Sequence, residues 1–326
     1  MRPFAYTRVN DAAEAVKAGG TFLAGGTTLL DLMKLDVMRP VRIVDISDLS
    51  REFSAIEYGP HGLRLGALTH MAEAALHADV AANYPVIAQS LNLAASAQLR
   101  NMATLGGNVL QRTRCTYFRD TSWSRCNKRE PGSGCAALDG VNRKHAVLGT
   151  SPNCIATYPG DFAQALMALD ATVELAGPSG ARRLPFADLH IAPGNDPSIE
   201  TVLRPGELIT AFTVPALSFA RRSLYLKIRD RQSYEFALAS AAVALDLDGG
   251  AVREARIALG GVATKPWRAR EAEAALRGQA LDENSARAAA EAAFAGAVTH
   301  GQNDYKRELG KRTLVRALLE AKALEV

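Results

Sequence analysis

All four cysteines of this chain lie in one stretch, and this stretch constrains the fold more than any other feature. They are Cys115, Cys126, Cys135 and Cys154, and the remainder of the 326 residues contains none. The stretch is rich in turn residues and has little apolar periodicity. A loop of this length is unusual in a compact domain unless something orders it. A shared metal or iron–sulfur centre, two disulfides or coincidence could explain the clustering, and the shared centre is favoured.

Compartment and spacing narrow these explanations. A chain of this length can build a core without disulfides. The amino-terminal sequence MRPFAYTRVNDAAEAV lacks an apolar segment, so we expect no secretory signal of its own. The close Cys-x2-4-Cys pairs that are typical of structural zinc are absent. Iron–sulfur clusters also take four thiolates, with wider spacing. The residues alone favour a 4Fe–4S cluster slightly over zinc and leave both open.

The cysteine segment, residues 109–157, is also the most basic part of the chain. It has eight basic and three acidic residues, whereas the whole chain has a net charge of +4. A solvated surface loop would explain this equally well. A cluster of four thiolates is negatively charged, and nearby cations would offset that charge. The candidates are Arg112, Arg114, Arg125, Lys128 and Arg129. We expect Tyr117, Phe118 and Trp123 to pack around the centre; His145 is a possible but unnecessary ligand.

Two glycine turns lie outside this segment. Gly25-Gly26-Thr27-Thr28 follows a short predicted strand, TFLA, and precedes a helical pattern, LLDLMKLD. The second turn is Thr104-Leu105-Gly106-Gly107-Asn108. A strand, a glycine turn and a helix direct backbone N–H groups at an anion, and glycine permits close approach because it has no Cβ. The two turns could contact two parts of one ligand.

The other patterns predict mixed helix and strand. Asp11 is expected to cap a short helix, Thr69 to open an alanine-rich helical pair, and Asp161 to cap the helix FAQALMALDA. The region SLYLKIRDRQSYEFALASAAVALDLDGGAVREARIALGGV predicts either three strands or a strand, a helix and a hairpin. No apolar run is long enough to span a bilayer. No hydrolase or kinase motif is present.

Four segments resemble a known family. LAGGTTLLDLMKLD and QLRNMATLGGN resemble the two flavin-binding turns of the FAD subunit of the molybdenum hydroxylases, the xanthine dehydrogenase family. KIRDRQSYEFALAS and IALGGVATKPWRA resemble its carboxy-terminal flavoprotein domain. The cysteine segment departs from the plain family pattern as an insertion. It most closely resembles the flavin subunit of bacterial periplasmic aldehyde oxidoreductases, in which such an insertion holds a 4Fe–4S cluster.

The resemblance implies roles for particular residues. Backbone amides of the first turn would wrap the FAD pyrophosphate: Ala24, Gly25, Gly26, Thr27, Thr28, Leu29, Leu30 and Asp31. The second flavin contact would come from Thr104, Gly106, Gly107 and Asn108. Asp161 would contact the flavin, and Ile209 and Lys227 would line its isoalloxazine ring. Ile209 could instead be a plain core residue and Lys227 a surface strand lysine. Cys115, Cys126, Cys135 and Cys154 would ligate the cluster, and no residue need be catalytic.

The implied fold is α+β. It consists of a two-subdomain FAD-binding fold of the vanillyl-alcohol-oxidase type, followed by a carboxy-terminal domain of a sheet plus helices. The expected domains are residues 1–56, residues 57–217 with the iron–sulfur insertion at 109–157, and residues 218–326. FAD would lie in the cleft between them.

The implied function is electron transfer within a molybdenum-dependent aldehyde oxidoreductase. Partner subunits would carry the molybdenum cofactor and 2Fe–2S clusters, and electrons would pass through FAD and a 4Fe–4S cluster to an external acceptor. We expect neither nucleic acid nor membrane binding. A partner's twin-arginine signal would carry the complex to the periplasm, with the cytoplasm as the alternative. The other interpretations are a xanthine dehydrogenase or 4-hydroxybenzoyl-CoA reductase subunit, a free-standing flavin oxidoreductase, and a zinc-stapled basic binding module.

Overall fold

The computed structural model describes residues Met1–Val326 and contains three separate β-sheets. The first is parallel, with the order β1-β3-β2. Its strands and the adjoining helices are β1 (Ala5–Arg8), α1 (Ala12–Ala18), β2 (Thr21–Leu23), α2 (Leu29–Lys34), β3 (Arg42–Asp45) and α3 (Ser50–Phe53). The Asp11 carboxylate accepts a hydrogen bond from the Glu14 amide at 2.8 Å, so the predicted cap of α1 is confirmed. Parallel strands need crossover connections, which α1 and α2 supply.

The second sheet is antiparallel and has the order β4-β5-β8-β6-β7. Its strands are β4 (Ile56–Gly59), β5 (Gly62–Gly66), β6 (Thr172–Gly177), β7 (Gly180–Pro185) and β8 (Leu208–Pro215). The central strand, β8, is buried along most of its length. The predicted hairpin of β6 and β7 is confirmed. Strands β5 and β6 belong to the same sheet but are far apart in sequence. Residues 67–171, which connect them, form a separate region.

That intervening region is helical before and after the cysteine segment. Its helices are α4 (Met71–Leu76), α5 (Ala78–Asn83), α6 (Pro85–Asn92), α7 (Ala97–Arg100), α8 (Leu105–Val109), α9 (Thr116–Arg119) and α10 (Phe162–Ala168). The prediction that Thr69 opens the helical pair was wrong by one residue. His70 is the cap of α4, because its amide donates to the Glu73 carboxylate at 3.1 Å. The Thr69 hydroxyl instead donates to the carbonyl of Ser54 at 3.0 Å.

The third sheet is antiparallel, with the order β12-β11-β10-β9. Its strands and the helices that follow are β9 (Ser223–Ile228), β10 (Ala239–Asp248), β11 (Ala251–Gly260), β12 (Trp267–Arg268), α11 (Arg270–Leu276), α12 (Glu283–Ala293) and α13 (Tyr305–Lys322). Of the two predicted alternatives for this region, three strands is therefore correct. None of the chain's helices combines the length and the apolar character needed to cross a membrane.

Strand β10 joins the two main cores of the protein. Side chains alternate between the faces of a strand, and here both faces are buried. Ala242 and Ala244 belong to the larger core, which contains the helices of residues 67–171. Ala241 and Val243 belong to the core beneath α12 and α13. Small alanine side chains allow both cores to pack close to the strand. The third sheet is therefore in direct contact with the helices of residues 67–171.

The cysteine segment has little regular structure, as its sequence predicts. Helix α9 is its only helix apart from the end of α8, and the remainder is turns and isolated bridges, including one between Cys126 and Cys135. Side chains from outside hold it in place. Asn303 donates to the carbonyl of Ala146 at 3.0 Å, and Asn142 donates to the carbonyl of His300 at 2.6 Å. The segment is therefore packed against the turn that precedes α13.

Candidate functional site

The first glycine turn is fixed by close backbone packing. Gly25 lies against the carbonyl oxygen of Met102, and a Cβ built on Gly25 would come within 1.8 Å of that oxygen. Gly26 has a φ of +71°, a conformation that favours glycine. Glycine at position 25 thus allows the first turn to meet the residues immediately before the second turn. This contact brings together two segments that are far apart in sequence.

The second turn is ordered by a side-chain cap. The Thr104 hydroxyl accepts a hydrogen bond from the Gly107 amide at 3.3 Å, which starts α8. A Cβ on Gly106 would approach Ala67 to 3.2 Å, so this glycine also lies in a tight place. Oδ1 of Asn108 is buried and has no hydrogen-bond partner. A buried acceptor without a partner costs about 1–3 kcal/mol, so Asn108 fits a site that a bound ligand completes.

Two neighbouring cavities gather most of the residues that the sequence predicts for the flavin. The first, of about 370 Å3, is lined by Ala24, Gly25, Gly26, Thr27, Thr28, Leu29, Thr104, Gly106, Gly107 and Ile209. The second, of about 520 Å3, is lined by Thr27, Thr28, Asp31, Asn108 and Asp161 among others. Because Thr27 and Thr28 line both cavities, the two form one elongated cleft. Leu30 and Lys227 line neither cavity.

Asp161 lies at the centre of a buried polar group beside this cleft. Lys227 Nζ donates to Oδ2 of Asp161 at 2.7 Å, and the Tyr225 hydroxyl donates to Oδ1 at 2.6 Å. The Lys227 side chain is only 1% exposed, so the alternative of a surface strand lysine is wrong. Ile209 is buried and also faces the first cavity, so its core position and its predicted position at the ligand are compatible.

Asp161 occupies the predicted N-cap position of the following helix, but it does not cap the helix through its side chain. Helix α10 begins at the next residue, but the Asp161 carboxylate makes no cap bond because both of its oxygens face β9. Tyr225 is a residue that the sequence analysis missed. Burial, together with the Asp161 charge, raises its pKa well above the usual value, so it remains a protonated donor. The available signal was its place two residues before Lys227, on the same face of the strand.

Asp31 connects the first turn to the cysteine segment. Its carboxylate accepts hydrogen bonds from Arg119 at 2.7 Å and from Arg114 at 3.2 Å. The bond to Arg119 is the largest cause of the lowered pKa of Asp31, and the charges of both arginines add to it. Asp31 also lines the second cavity. The residue therefore positions two arginines at the boundary between the cleft and the cysteines.

The structure brings the four cysteines together. Cys126 and Cys135 face each other across an antiparallel bridge, and Cys115 packs in the same apolar cluster as Cys126. None forms a disulfide. Burial raises the pKa of Cys115 to about 12, and the neighbouring Cys126 and Cys154 add to the effect. Burial likewise raises the pKa of Cys154 to about 11, with Cys135 and Cys126 as neighbours and with Lys128 opposing.

No three His, Cys, Asp or Glu side chains of the chain lie close enough together to hold a single metal ion. A single zinc ion needs its sulfur ligands at about 2.3 Å. A cubane binds each thiolate at a different iron, so its ligands stand further apart. The four free thiols thus lie near one another without forming a site for a single metal ion.

The aromatic residues of the segment are only partly placed as expected. Tyr117 and Phe118 are buried near the cysteines, but Trp123 is 47% exposed. Trp123 stacks edge-on against Tyr117, with ring centroids 4.9 Å apart. The expectation that Trp123 packs around the centre and excludes water was therefore wrong, since about half of its surface is exposed. His145 is buried, and burial lowers its pKa to about 4. Its Nε2 lies 3.1 Å from Sγ of Cys115.

Acidic residues from outside the segment pair with many of its basic residues. Arg112 and Lys128 both contact Glu200, at 2.5 and 2.7 Å, and all three side chains are largely buried. Arg143 pairs with Asp230 at 2.8 Å. The alternative of a solvated surface loop therefore does not fit these basic residues. Their charges hold the segment against the loop before β8 and the loop after β9.

Comparison with known proteins gives the family directly. Residues 2–217 match the family described as the FAD binding domain in molybdopterin dehydrogenase. Residues 224–321 match the CO dehydrogenase flavoprotein C-terminal domain. Together these matches cover almost the whole chain, including both glycine turns and the third sheet.

Individual relatives agree over the full length. The chain is 47% identical over 330 residues to the aldehyde oxidoreductase FAD-binding subunit PaoB of Escherichia coli, with 99% of each chain covered. It is 30% identical over 331 residues to the carbon monoxide dehydrogenase medium chain of Afipia carboxidovorans, covering 98% of this chain and 97% of that one.

The solved structures give the same result. The reconstituted CO dehydrogenase from Oligotropha carboxidovorans has a TM-score of 0.77 at 27% identity, with 99% of each chain covered. The carbon monoxide dehydrogenase of Hydrogenophaga pseudoflava has a TM-score of 0.76 at 27% identity, covering 99% of this chain and 98% of that one. The expected α+β flavoprotein fold is confirmed. The chain belongs to the FAD-binding subunits of the molybdenum hydroxylase family of oxidoreductases.

Proposed function

We propose that this chain is the flavin-bearing, electron-transferring subunit of a molybdenum-dependent aldehyde oxidoreductase. The observation that carries the proposal is the full-length similarity, at 47% identity, to a subunit named for aldehyde oxidation. The xanthine dehydrogenase FAD-binding subunit of Escherichia coli is only 26% identical, over 77% of this chain. The family matches also argue against the interpretation as a zinc-stapled basic binding module, since they assign the chain to a flavoprotein family.

The cleft fits FAD in shape and in chemistry. Its two cavities are joined along the first turn, which suits a ligand with a nucleotide half and a flavin half. The glycines leave room for a ligand at the backbone, and the buried Oδ1 of Asn108 awaits a donor. We assign Ala24 to Asp31 to the pyrophosphate and Thr104, Gly106, Gly107 and Asn108 to the second flavin contact. Asp161, held by Lys227 and Tyr225, would orient the flavin side together with Ile209.

The cysteine segment fits a 4Fe–4S cluster. Cys115, Cys126, Cys135 and Cys154 would be the ligands, because they are the chain's only thiols, they converge, and none is used in a disulfide. Lys128 lines one cavity together with Cys154, and its charge would favour the thiolate form of that cysteine. FAD accepts electron pairs and releases single electrons, and a 4Fe–4S cluster carries one electron at a time. The protein's task is to position and tune them.

The remaining parts of the proposal concern the complex. Partner subunits would hold the molybdenum cofactor and the 2Fe–2S clusters, and electrons would reach an external acceptor by way of FAD and the 4Fe–4S cluster of this chain. We also propose that the chain divides into domains after residues 56 and 217, with the iron–sulfur insertion at 109–157. The proposed location is the periplasm, reached by co-export with a partner, with the cytoplasm as the alternative.

One experiment separates these functions. The complex is purified through this chain and mixed with an aldehyde or with xanthine under anaerobic conditions, and the flavin spectrum is followed. We expect the aldehyde to bleach the flavin, xanthine to have no effect, and the chain without its partners to be inert toward both. Bleaching by xanthine alone would favour the xanthine dehydrogenase alternative. Turnover by the isolated chain would favour a free-standing flavin oxidoreductase.

A second experiment tests the cluster ligands. Cys126→Ser should remove the broad iron–sulfur absorbance while the flavin bands persist, because Cys126 lies outside the flavin cleft. Ser122→Ala, in the same segment but exposed, is the matched control and should retain both. An unchanged cluster in Cys126→Ser would remove this cysteine from the ligand set.

A further inference from the structure

The four cysteine sulfurs have unequal surroundings. Sγ of Cys115 lies 3.1 Å from Nε2 of His145, within hydrogen-bond distance for sulfur. Sγ of Cys154 accepts a longer bond, of 3.4 Å, from the Ala156 amide. His145 is the only side chain that hydrogen-bonds to a cysteine sulfur of this chain.

The imidazole of His145 is held in place from several sides. The residue is 6% exposed, and its backbone amide donates to the carbonyl of Asn142 at 2.9 Å. The next residue, Ala146, pairs with Ile155 at 2.9 Å, which anchors the stretch to the end of the cysteine segment. The Tyr117 ring lies beside the imidazole, with centroids 6.3 Å apart. The position of Nε2 at Cys115 is thus fixed by the fold.

Geometry also decides which nitrogen carries the proton. A ligating thiolate has only lone pairs to offer, so an unprotonated Nε2 would face it lone pair to lone pair. Nδ1 is buried and has no hydrogen-bond partner, so nothing requires the proton there. Nε2–H is therefore the donor and Sγ of Cys115 is the acceptor. This requires the neutral tautomer in which Nε2 carries the proton and Nδ1 does not.

Cys115 also lines a cavity that adjoins the flavin cleft. A cavity of about 440 Å3 is lined by Cys115 and His145. It shares Arg114, Pro159 and Phe236 with the cavity that contains Asn108 and Asp161. None of the other three cysteines lines this shared space. Cys154 lines a different cavity, which shares Arg112 and Leu203 with the first cavity of the cleft. Cys115 and Cys154 thus both lie next to the cleft, and Cys115 is the one with a side-chain hydrogen bond to its sulfur.

We propose that His145 is a positioning residue that donates a hydrogen bond from Nε2 to the Cys115 ligand and thereby raises the reduction potential of the cluster. The proposal rests on the proposed function, because it requires the 4Fe–4S cluster. A hydrogen bond to a ligating sulfur withdraws negative charge and stabilises the reduced form, which carries one more electron. His145 therefore sets how electrons divide between flavin and cluster.

The test is an EPR-monitored redox titration of the whole complex with His145→Phe and His145→Gln. Phenylalanine keeps a ring but has no donor, whereas glutamine keeps an N–H at similar reach. His190 provides the matched control, since it is equally buried, its Nε2 donates to the carbonyl of Val109, and it makes no hydrogen bond to a cysteine. We expect His145→Phe to move the cluster potential to more negative values. His145→Gln should remain near the wild type, and His190→Phe should leave the potential unchanged.

An intact cluster with an unchanged potential in His145→Phe would overturn the proposal. If His145→Phe loses the cluster, pulsed EPR on the wild-type complex with isotope-labelled histidine decides. An imidazole nitrogen and an exchangeable proton coupled to the reduced cluster support the donor, and the absence of both contradicts it. A wild-type complex without any cluster signal would instead refute the proposed function itself.

Discussion

The flavin cleft and the cysteine segment lie side by side, but they keep their shapes by different means. The cleft is built from backbone: two glycine turns meet so closely that Gly25 has no space for a Cβ beside Met102. The cysteine segment is built from side chains, and its holding partners come from elsewhere, such as Glu200, Asp31 and Asn303. A site built from backbone is sensitive to substitution at only a few positions, but at those positions almost no substitution is tolerated. A segment held by side chains depends on many contacts, each of moderate strength.

The comparison predicts that the largest effect comes from the buried pair beside the cleft. Lys227→Met leaves the Asp161 carboxylate buried without its cation, and breaking such a pair typically costs about 3–5 kcal/mol. We expect a large fall in the melting temperature and loss of FAD, measured by calorimetry and by the ratio of flavin to protein. Lys17→Met on the exposed face of α1 is the control and should change neither. Full flavin content in Lys227→Met would remove this pair from the cleft.

A smaller effect is expected at the contact between the turns. Gly25→Ala forces a Cβ into the Met102 carbonyl, and overpacking of this kind costs about 1–3 kcal/mol. Gly59→Ala, where a Cβ meets nothing within 4 Å, is the matched control. The flavin-to-protein ratio should fall in the first variant and stay constant in the second. If both variants bind FAD equally, the two turns do not form the site together.

The sequence predicts the fold and the residues of the cleft more completely than it predicts the contacts of the cysteine segment. Helix caps, strand alternation and the glycine turns are local signals, so Asp11 and the β6–β7 hairpin were placed correctly. The side-chain contacts of Asp161 were not predicted because its partners, Tyr225 and Lys227, are distant in sequence. The Asp161 carboxylate bonds to strand β9 instead of to the amides of its helix, and Trp123 packs against Tyr117 while about half of it stays exposed. Neither contact has a local sequence signature.

The cysteine segment should respond to loss of a shared acid. Glu200→Gln removes the charge that holds both Arg112 and Lys128, and hydrogen bonds to charged groups contribute about 1.5–3 kcal/mol. We expect faster hydrogen exchange across residues 109–157 with FAD still bound. Asp139→Asn breaks only an exposed pair with Arg125 and should have little effect. Equal exchange in the two variants would mean that Glu200 does not hold the segment.

The weakest predicted effect is a dependence on pH at Lys306. Its Nζ donates to the carbonyls of Lys144 and Gly261, and burial, aided by Arg143 and Lys144 and opposed by Asp230, lowers its pKa to about 7. The unfolded chain binds this proton up to about pH 10.5. Stability should therefore rise with pH above 7, by about 1 kcal/mol between pH 7 and pH 8.

Lys306→Met supplies the comparison for this effect, since methionine has similar length and no charge. The difference in unfolding free energy between the two proteins should change with pH over this interval. A constant difference would show that Lys306 keeps its ordinary pKa in the folded protein.

The central claim is that one chain holds a flavin and an iron–sulfur cluster side by side. Analysis of iron, acid-labile sulfide and flavin in the purified complex, compared with the same complex carrying Cys126→Ser, tests it most directly. The partner's 2Fe–2S clusters contribute the same iron to both complexes. We therefore expect the Cys126→Ser complex to contain about four fewer iron atoms per FAD than the wild type, with its flavin content unchanged. Identical iron content in both complexes would contradict it.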